Sequence, residues 1–315
     1  MSTNKQSYSS IRNFTKTISL QAAYNNKYCD DRPDYHVYLK HLFDDYLLQL
    51  DKDWSEIPFD PGHKITFSEL VRQSKADATR LAGGIYSALM AYLHGNLYES
   101  TSIFNGIMDS FFSFLHELRV LHTNDTNRWD TFSFSSDSSH GDLYRIQKLD
   151  EGSVSVNMMR HPPFHMRQVI DTHRFSIPGC PCLYLGSSLF VCAREMGIDA
   201  LPFPIEERSS KMKYHASQFL WKPEIDTPRL LELFLTPEHF AQYYEALADR
   251  FVRGKLLRKT DHQKFLRSYL VCWPLQLACS ICVKYPKGKF KEEYIVPQLL
   301  MMWLKNQKHA SFRCQ

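Results

Sequence analysis

The chain has 315 residues, a formal net charge of +4 and 43% hydrophobic residues. This composition is ordinary for a folded protein, and the small positive excess argues against a nucleic-acid partner, which usually concentrates its Lys and Arg in a stripe. The first residues are polar and contain no apolar signal segment. No apolar run reaches the roughly 18 residues that a membrane span needs. The sequence therefore predicts a cytoplasmic protein with no membrane and no nucleic acid as a partner.

The N-terminal region combines a polar arm with helical patterns. Residues 1–28 are rich in Ser, Thr, Asn and Lys, and they are predicted to form a flexible arm. Between Tyr35 and Leu50, apolar residues recur at the spacing of one helix face. Thr66 precedes Glu69 at the spacing of a capping box, which predicts the beginning of a second helix.

A pair of glycines interrupts the second helical pattern. Gly83 and Gly84 are expected to end or kink that helix, because glycine disfavours the helix interior. A long apolar-rich stretch at residues 97–120 predicts another helix. Residues 29–130 are therefore predicted to form a helical domain, followed by a Ser- and Asp-rich linker over 131–140.

The pattern of apolar and polar residues changes after this linker, and strand patterns mix with helical ones. A helix is predicted over residues 189–196 and is expected to end at Gly197. Further helices are predicted over 237–257 and 292–304, and the apolar stretch 269–283 is predicted to be a buried strand pair or one long strand. Because strands and helices follow each other without regular alternation, the fold class is predicted to be α+β. Short strands are predicted over residues 143–146, 182–185, 214–221 and 229–235.

Three polar side chains stand at places where a structural pattern does not require them. Arg145 lies within a predicted strand, Tyr184 ends a strand before a Gly-Ser-Ser turn, and Glu195 lies near the end of an apolar helix. Taken singly, each has an ordinary structural explanation, because strand arginines are commonly at the surface, strand tyrosines in the core and helix glutamates in solvent. Their combination is what suggests a site.

That combination resembles a known family. The segment from Arg174 to Tyr184, RFSIPGCPCLY, resembles the RES-domain segment that is written loosely as GRW-N-x-P-G-x-P-x-x-Y. Glu195 falls eleven residues after Tyr184, where the family places the Glu of its Arg-Glu-Ser name. The segment that contains Arg145 resembles the one holding the family's first Arg, and residues 292–300 resemble a helix of some longer members.

The resemblance implies a fold and an activity. Residues 141–315 would form a mixed α/β domain like that of ADP-ribosyltransferases, preceded by a helical domain of the kind that accompanies RES domains. The protein would consume NAD by cleaving the nicotinamide–ribose bond, as a glycohydrolase or phosphorylase, and it would be the toxin of a toxin–antitoxin or phage-defence system. An antitoxin protein is then the expected partner, and NAD is the substrate.

The resemblance and the chemistry of the side chains together imply the roles of the site residues. A carboxylate stabilises the positive charge that develops on the ribose, a guanidinium binds pyrophosphate, and a tyrosine ring stacks on nicotinamide. No cofactor is expected, since NAD is the substrate. No metal is expected either, because Cys279 and Cys282 have only half of the spacing of a zinc site. The catalytic candidates are Glu195, Arg145 and Tyr184, and the NAD-binding candidates are Arg145, Arg174, Tyr184, Ser187 and Ser188.

Two departures of this sequence from the RES-family pattern keep other hypotheses open. The family's serine follows a helix near the C-terminus, but Ser311 arrives early and with different neighbours, so the C-terminal end is expected to be truncated. Phe175-Ser176 replaces the common Trp-Asn. The first alternative is therefore a degenerate RES protein that binds NAD or a partner without catalysis.

The second alternative is an RNase of the HEPN type in the helical domain. Such enzymes place an Arg and a His on one helix face with four to six residues between them, for acid–base chemistry. Residues 1–140 contain no such pair, since Arg119 and His122 are too close in sequence.

Overall fold

The computed structural model describes residues 32–55, 65–121, 143–149, 160, 163–170, 172–186, 188–198, 213–219, 229–231, 259–306 and 312–314. The arm predicted for 1–28, the linker 131–140 and the helix predicted for 237–257 lie outside these residues. The chain divides into two compact units: the first contains residues 1–121 and 229–314, and the second contains residues 122–228 with residue 315.

The first unit is helical, with a small sheet of three strands among the described residues. Its helices are α1 (Tyr35–Leu50), α2 (Phe67–Leu93), α3 (Leu97–Arg119), α5 (Lys259–Ser280) and α6 (Ile295–Asn306), and its strands are β1 (Val120–Leu121), β4 (Arg229–Leu231) and β5 (Phe312–Cys314). The second unit contributes β2 (Leu143–Leu149), a 3-10 segment (Phe164–Val169), α4 (Leu189–Glu195) and β3 (Lys213–Phe219). The class is α+β, with more helix than sheet among the described residues.

Helix α2 is the centre of the first unit, because it packs against α1, α3, α5 and α6. Thr66 begins it as predicted, since its hydroxyl accepts from the Glu69 backbone N–H while the Glu69 carboxylate accepts from the Thr66 N–H. Two polar contacts supplement the apolar core: Arg267 of α5 donates to Asp77 of α2 at 2.7 Å, and Trp303 of α6 donates to Asp109 of α3 at 2.7 Å. The helices predicted over 35–50, 97–120 and 292–304 are confirmed, with shifts of a few residues at their ends.

The glycine pair in α2 neither ends nor kinks the helix, so that prediction is wrong. Helix α2 runs without interruption from Phe67 to Leu93. A Cβ atom on Gly84 would lie 2.8 Å from Cγ1 of Ile107 in α3, whereas one on Gly83 would meet nothing within 4 Å. Gly84 therefore allows two helices to approach closely, and this packing compensates for the helix propensity that glycine lacks.

The apolar stretch at 269–283 is mainly helical, so the prediction of buried strands is wrong. Residues 268 to 279 are buried without exception along α5. A helix that is buried on every side shows no amphipathic period, and a short apolar run of this kind is equally consistent with a strand. The sequence signal is therefore ambiguous, and tertiary packing decides the structure.

Pro274 lies inside α5, where it removes one backbone donor. A proline cannot donate to the carbonyl four residues earlier, which here belongs to Leu270. The Tyr46 hydroxyl of α1 donates to that carbonyl at 2.5 Å. Tyr35, about three turns earlier in α1, donates to the Ala278 carbonyl at 2.9 Å in the last turn of α5. The two tyrosines therefore satisfy carbonyls that helix geometry leaves open, and they fix α1 antiparallel to α5.

The three-stranded sheet joins distant parts of the chain. Strand β4 pairs antiparallel with β1, so that Val120 faces Leu231 and Leu121 faces Leu230, and it pairs parallel with β5. The second unit is consequently an insertion in sequence between two paired strands. Residues 229–314 belong to the first unit rather than to the RES-like domain predicted for 141–315, because α5 and α6 bury their apolar residues against α2 and α3.

The second unit has a two-stranded ribbon, in which β2 pairs antiparallel with β3 over seven residues. The strand predicted at 214–221 and the helix predicted at 189–196 are both present as β3 and α4. The strand predicted at 182–185 is a loop instead, and its neighbour Gly186 forms a single bridge with Tyr144. In the described part of the chain, every helix is too short or too polar to cross a membrane.

Candidate functional site

The β2–β3 ribbon positions Arg145. Side chains alternate between the two faces of a strand, so Arg145 shares a face with Gln147 and, across the ladder, with Ser217 and His215. In β3, Ser217 and His215 are half-buried while the residues that alternate with them are exposed, which marks this as the covered face. Arg145 is itself half-buried, and burial lowers the pKa of its guanidinium, which nevertheless remains charged.

The loop from residue 172 to 186 positions Tyr184. The Cys180 N–H donates to the Ile177 carbonyl at 2.9 Å, and Gly179 has a φ of +72°, as the third residue of a Pro-Gly turn requires. This turn folds the loop back on itself. The Tyr184 and Ser176 hydroxyls then lie 2.6 Å apart, within hydrogen-bond distance.

Tyr184 also contacts a histidine that the sequence did not single out. The His173 and Tyr184 rings have centroids 5.1 Å apart and an interplanar angle of 48°. Tyr184 remains 37% exposed, so part of its ring is available to a ligand. Arg174 follows His173 and is half-buried in the same loop. The predicted stacking residue is thus held in place by two polar neighbours.

A bridge attaches this loop to the ribbon. Tyr144 and Gly186 exchange two backbone hydrogen bonds, of 2.8 and 2.7 Å. The Cys192 thiol of α4 donates to the Tyr144 carbonyl at 3.1 Å. A Cβ atom on Gly186 would lie 2.6 Å from Sγ of Cys192, so glycine is the residue that this close approach permits. The segment after Tyr184, the strand that carries Arg145 and α4 therefore meet at one point.

Helix α4 carries two of the predicted residues at opposite ends. Ser188 is its N-cap, and its hydroxyl accepts from the Val191 N–H at 3.2 Å. Gly197, with a φ of +71°, ends the helix as predicted. Glu195 is the last helical residue and is exposed at the surface, although partial desolvation by its neighbours raises the pKa of its carboxyl. The helical rise from Ser188 to Glu195 separates the two residues by about 10 Å along the axis.

The structure thus brings the predicted residues onto three adjoining segments. Arg145 lies on β2, Arg174 and Tyr184 lie on the loop, and Ser188 and Glu195 lie on α4, while Ser187 lies outside the described residues. His173, Ser176, His215 and Ser217 join this neighbourhood, although the sequence did not predict them. Ser176 could have been selected from the sequence, because it follows the His173-Arg174 pair by two residues. His215 and Ser217 could not, because only the strand register makes them neighbours of Arg145.

The described residues contain no group of three or more His, Cys, Asp and Glu side chains that could hold a metal ion. What the arrangement offers is a guanidinium, an accessible aromatic ring and a carboxyl group with a raised pKa. Such a set suits an anionic ligand that also carries an aromatic ring and a centre of developing positive charge.

Comparison with known proteins finds a curated relative. Over 280 residues, the chain is 28% identical to a protein of Bacillus subtilis (strain 168) that bears the name "Putative toxin YopC". The match covers 89% of this chain and 54% of that protein, so the chain spans about half the length of this curated relative. No family model matches the chain, and no solved structure matches it.

Proposed function

We propose that the protein is a toxin that consumes NAD by cleaving the bond between nicotinamide and ribose, in the manner of RES-domain enzymes. The similarity to a protein named as a toxin supports the first part of this proposal. The second part rests on the site residues of the second unit. NAD is the proposed substrate, and an antitoxin protein is the proposed partner that protects the host.

One observation carries the proposal. The Tyr144–Gly186 bridge joins the segment of Arg145 to the segment of Tyr184, although Arg145 and Tyr184 are 39 positions apart in sequence. The RES resemblance singles out both segments from sequence motifs alone, and those motifs contain no information on strand pairing. The contact between the two segments therefore supports their assignment to one site.

The chemistry follows from the side chains. Arg145 and Arg174 would bind the pyrophosphate, because a planar guanidinium contacts phosphate oxygens in bidentate fashion. The accessible part of the Tyr184 ring would stack on the nicotinamide. As the bond to C1′ of the ribose lengthens, its electron pair leaves with nicotinamide, and the Glu195 carboxylate would stabilise the positive charge on the ribose. Water then bonds to C1′ and loses a proton to solvent, which gives ADP-ribose, or a phosphate oxygen bonds to C1′ and gives the corresponding ribose 1-phosphate.

The decisive experiment compares wild type with Glu195→Gln in a nicotinamide-release assay. Loss of one preorganised stabiliser of transition-state charge typically lowers kcat by about 10²–10³. The matched control is Asp45→Asn, which neutralises an exposed carboxylate on α1 of the other unit and is expected to leave the rate unchanged. Equal nicotinamide release by wild type and Glu195→Gln would contradict the proposed role of Glu195.

Loss of folding would not explain a loss of activity in this variant. Because partial desolvation raises the folded-state pKa of the exposed Glu195 carboxyl, its charged form slightly destabilises the protein above that pKa and the neutral form does not. Glu195→Gln is therefore expected to be as stable as wild type at pH 4 and slightly more stable at pH 7. Thermal unfolding at both pH values checks this, and a lower Tm at pH 7 would contradict it.

A degenerate protein that binds NAD without cleaving it is the competing hypothesis, and the departure at Ser311 motivates it. Calorimetric titration of wild type with NAD distinguishes the two. Binding that Arg145→Lys weakens, with no nicotinamide release over hours, would favour the binding protein over the enzyme.

A further inference from the structure

A basic loop with exposed aromatic residues lies between α5 and α6 of the first unit, away from the candidate NAD site in sequence. Residues 284–291 read KYPKGKFK, with four lysines in eight positions and no acidic residue. Tyr285 and Phe290 are 63% and 59% exposed, which is unusual for large hydrophobic side chains. We refer to residues 284–291 as the basic aromatic loop.

The basic aromatic loop is anchored at both ends. Its first backbone N–H, from Lys284, donates to the Glu293 carboxylate at 2.7 Å. Glu293 is buried and also forms an ion pair with buried Arg32, which lies just before α1. At the other end, the Tyr294 N–H donates to the Lys291 carbonyl at 3.0 Å. These hydrogen bonds, together with the ion pair that holds the Glu293 carboxylate, attach the loop to the helical core at its two ends.

A turn inside the loop places its side chains outward. The Gly288 N–H donates to the Tyr285 carbonyl at 2.9 Å, and a Cβ atom on Gly288 would lie 3.1 Å from that oxygen. Lys287 and Lys289 flank Gly288 and are exposed at the tip of this turn. The turn thus presents two lysines between two exposed aromatic rings.

The other two lysines have contacts within the unit. Lys284 lies 3.5 Å from the Asp34 carboxylate, and its ammonium also lies over the Tyr285 ring. Lys291 places its ammonium 5.2 Å from the centroid of the Tyr294 ring. These contacts leave Lys287 and Lys289 as the charges at the tip of the loop.

We infer that the basic aromatic loop binds single-stranded nucleic acid, with Tyr285 and Phe290 stacking on bases and Lys287 and Lys289 contacting phosphates. Exposed aromatic rings interleaved with lysines are the combination by which single strands are bound, since every base has a face on which a ring can stack. Protein interfaces, in contrast, are depleted in lysine. The loop therefore fits a polyanion with aromatic groups better than an acidic protein surface.

This inference differs from the expectation that the chain has no nucleic-acid partner. That expectation rests on the net charge of +4, which averages over the whole sequence. A local cluster of like charges creates its own field within about 8–10 Å at physiological salt, so the average conceals it.

The test measures fluorescence anisotropy of a labelled twelve-nucleotide poly-U RNA with the full chain, between about 50 and 200 mM NaCl. Tyr285→Ala with Phe290→Ala is expected to weaken binding by at least about fivefold for each base that loses its stacking partner. Lys287→Gln with Lys289→Gln is expected to reduce the slope of log K against log[NaCl] by about 1.4, because each phosphate contact in a single strand contributes about 0.7.

The controls alter the same residue types elsewhere in the first unit. Tyr98→Ala changes an aromatic residue that is 88% exposed, and Lys52→Gln changes an exposed lysine. Both are expected to bind as wild type does, and far-UV circular dichroism verifies folding of all variants. The inference is overturned if the RNA fails to bind at the lower salt, or if both loop variants bind it as wild type does. It is also overturned if polyglutamate binds more tightly than RNA, which would assign the loop to an acidic protein.

Discussion

The contact between Tyr46 and the Leu270 carbonyl shows how one side chain can replace a backbone donor. Pro274 removes the N–H that would pair with this carbonyl, and both Tyr46 and Leu270 are buried. A buried carbonyl without a donor costs more than the small net gain of making one hydrogen bond. Burial also raises the pKa of the Tyr46 hydroxyl well above its ordinary value, so the group stays protonated and donates throughout the neutral range.

Tyr46→Phe is therefore expected to lower the free energy of unfolding by about 1–3 kcal/mol, since it leaves the Leu270 carbonyl buried without a donor. Pro274→Ala supplies a backbone N–H to the same carbonyl. In the Pro274→Ala background, Tyr46→Phe should therefore cost clearly less than it does in wild type. Urea unfolding of the four proteins of this double-mutant cycle measures the difference. Equal costs in the two backgrounds would contradict the replacement of the donor by Tyr46.

At the scale of helices, Gly83 and Gly84 offer an internal comparison in α2. They are adjacent and share the low helix propensity of glycine, but only Gly84 has a neighbouring helix within reach of a Cβ atom. Gly83 is exposed, whereas the space beside Gly84 is occupied by the branched side chain of Ile107. The same substitution should therefore have opposite effects at the two positions.

Gly83→Ala is expected to raise the free energy of unfolding by about 0.5–1 kcal/mol, because alanine is the better helix former and meets no obstacle. Gly84→Ala is expected to lower it by about 1–3 kcal/mol, because Ile107 or the whole of α3 must shift. Chemical denaturation of both variants tests the pair. A stabilised Gly84→Ala protein would show that the close contact between α2 and α3 is not needed.

The elements also show where sequence reasoning succeeds. Helices with one apolar face, such as α1, are predictable because burial on one side leaves a period in the sequence. Helix α5 is not predictable in this way, because burial on all sides leaves no such period in its sequence. In the candidate site, Tyr184 and Glu195 can be selected from local motifs and a family resemblance. His215 and Ser217 cannot, because strand register places them beside Arg145.

At the scale of the molecule, the chain order separates two sets of residues. All predicted NAD-site residues lie between positions 122 and 228, in the second unit, and the basic aromatic loop lies in the first. The second unit interrupts the first between β1 and β4, which pair directly. Because loops between paired strands tolerate insertion and removal, we expect the first unit to fold without the second.

Replacing residues 122–229 by Asn-Gly would join Leu121 to Leu230 through a two-residue hairpin turn, for which Asn-Gly is the preferred sequence. This variant is expected to keep its helical circular dichroism, a cooperative thermal transition and binding of poly-U RNA, and to release no nicotinamide from NAD. The fragment 141–315 is the comparison, and it should lack a cooperative transition, because α5 and α6 lose the helices that cover their apolar residues. If 141–315 unfolded cooperatively and the hairpin variant did not, the second domain would extend to the end of the chain, as the sequence predicts, and the division at residue 228 would be wrong.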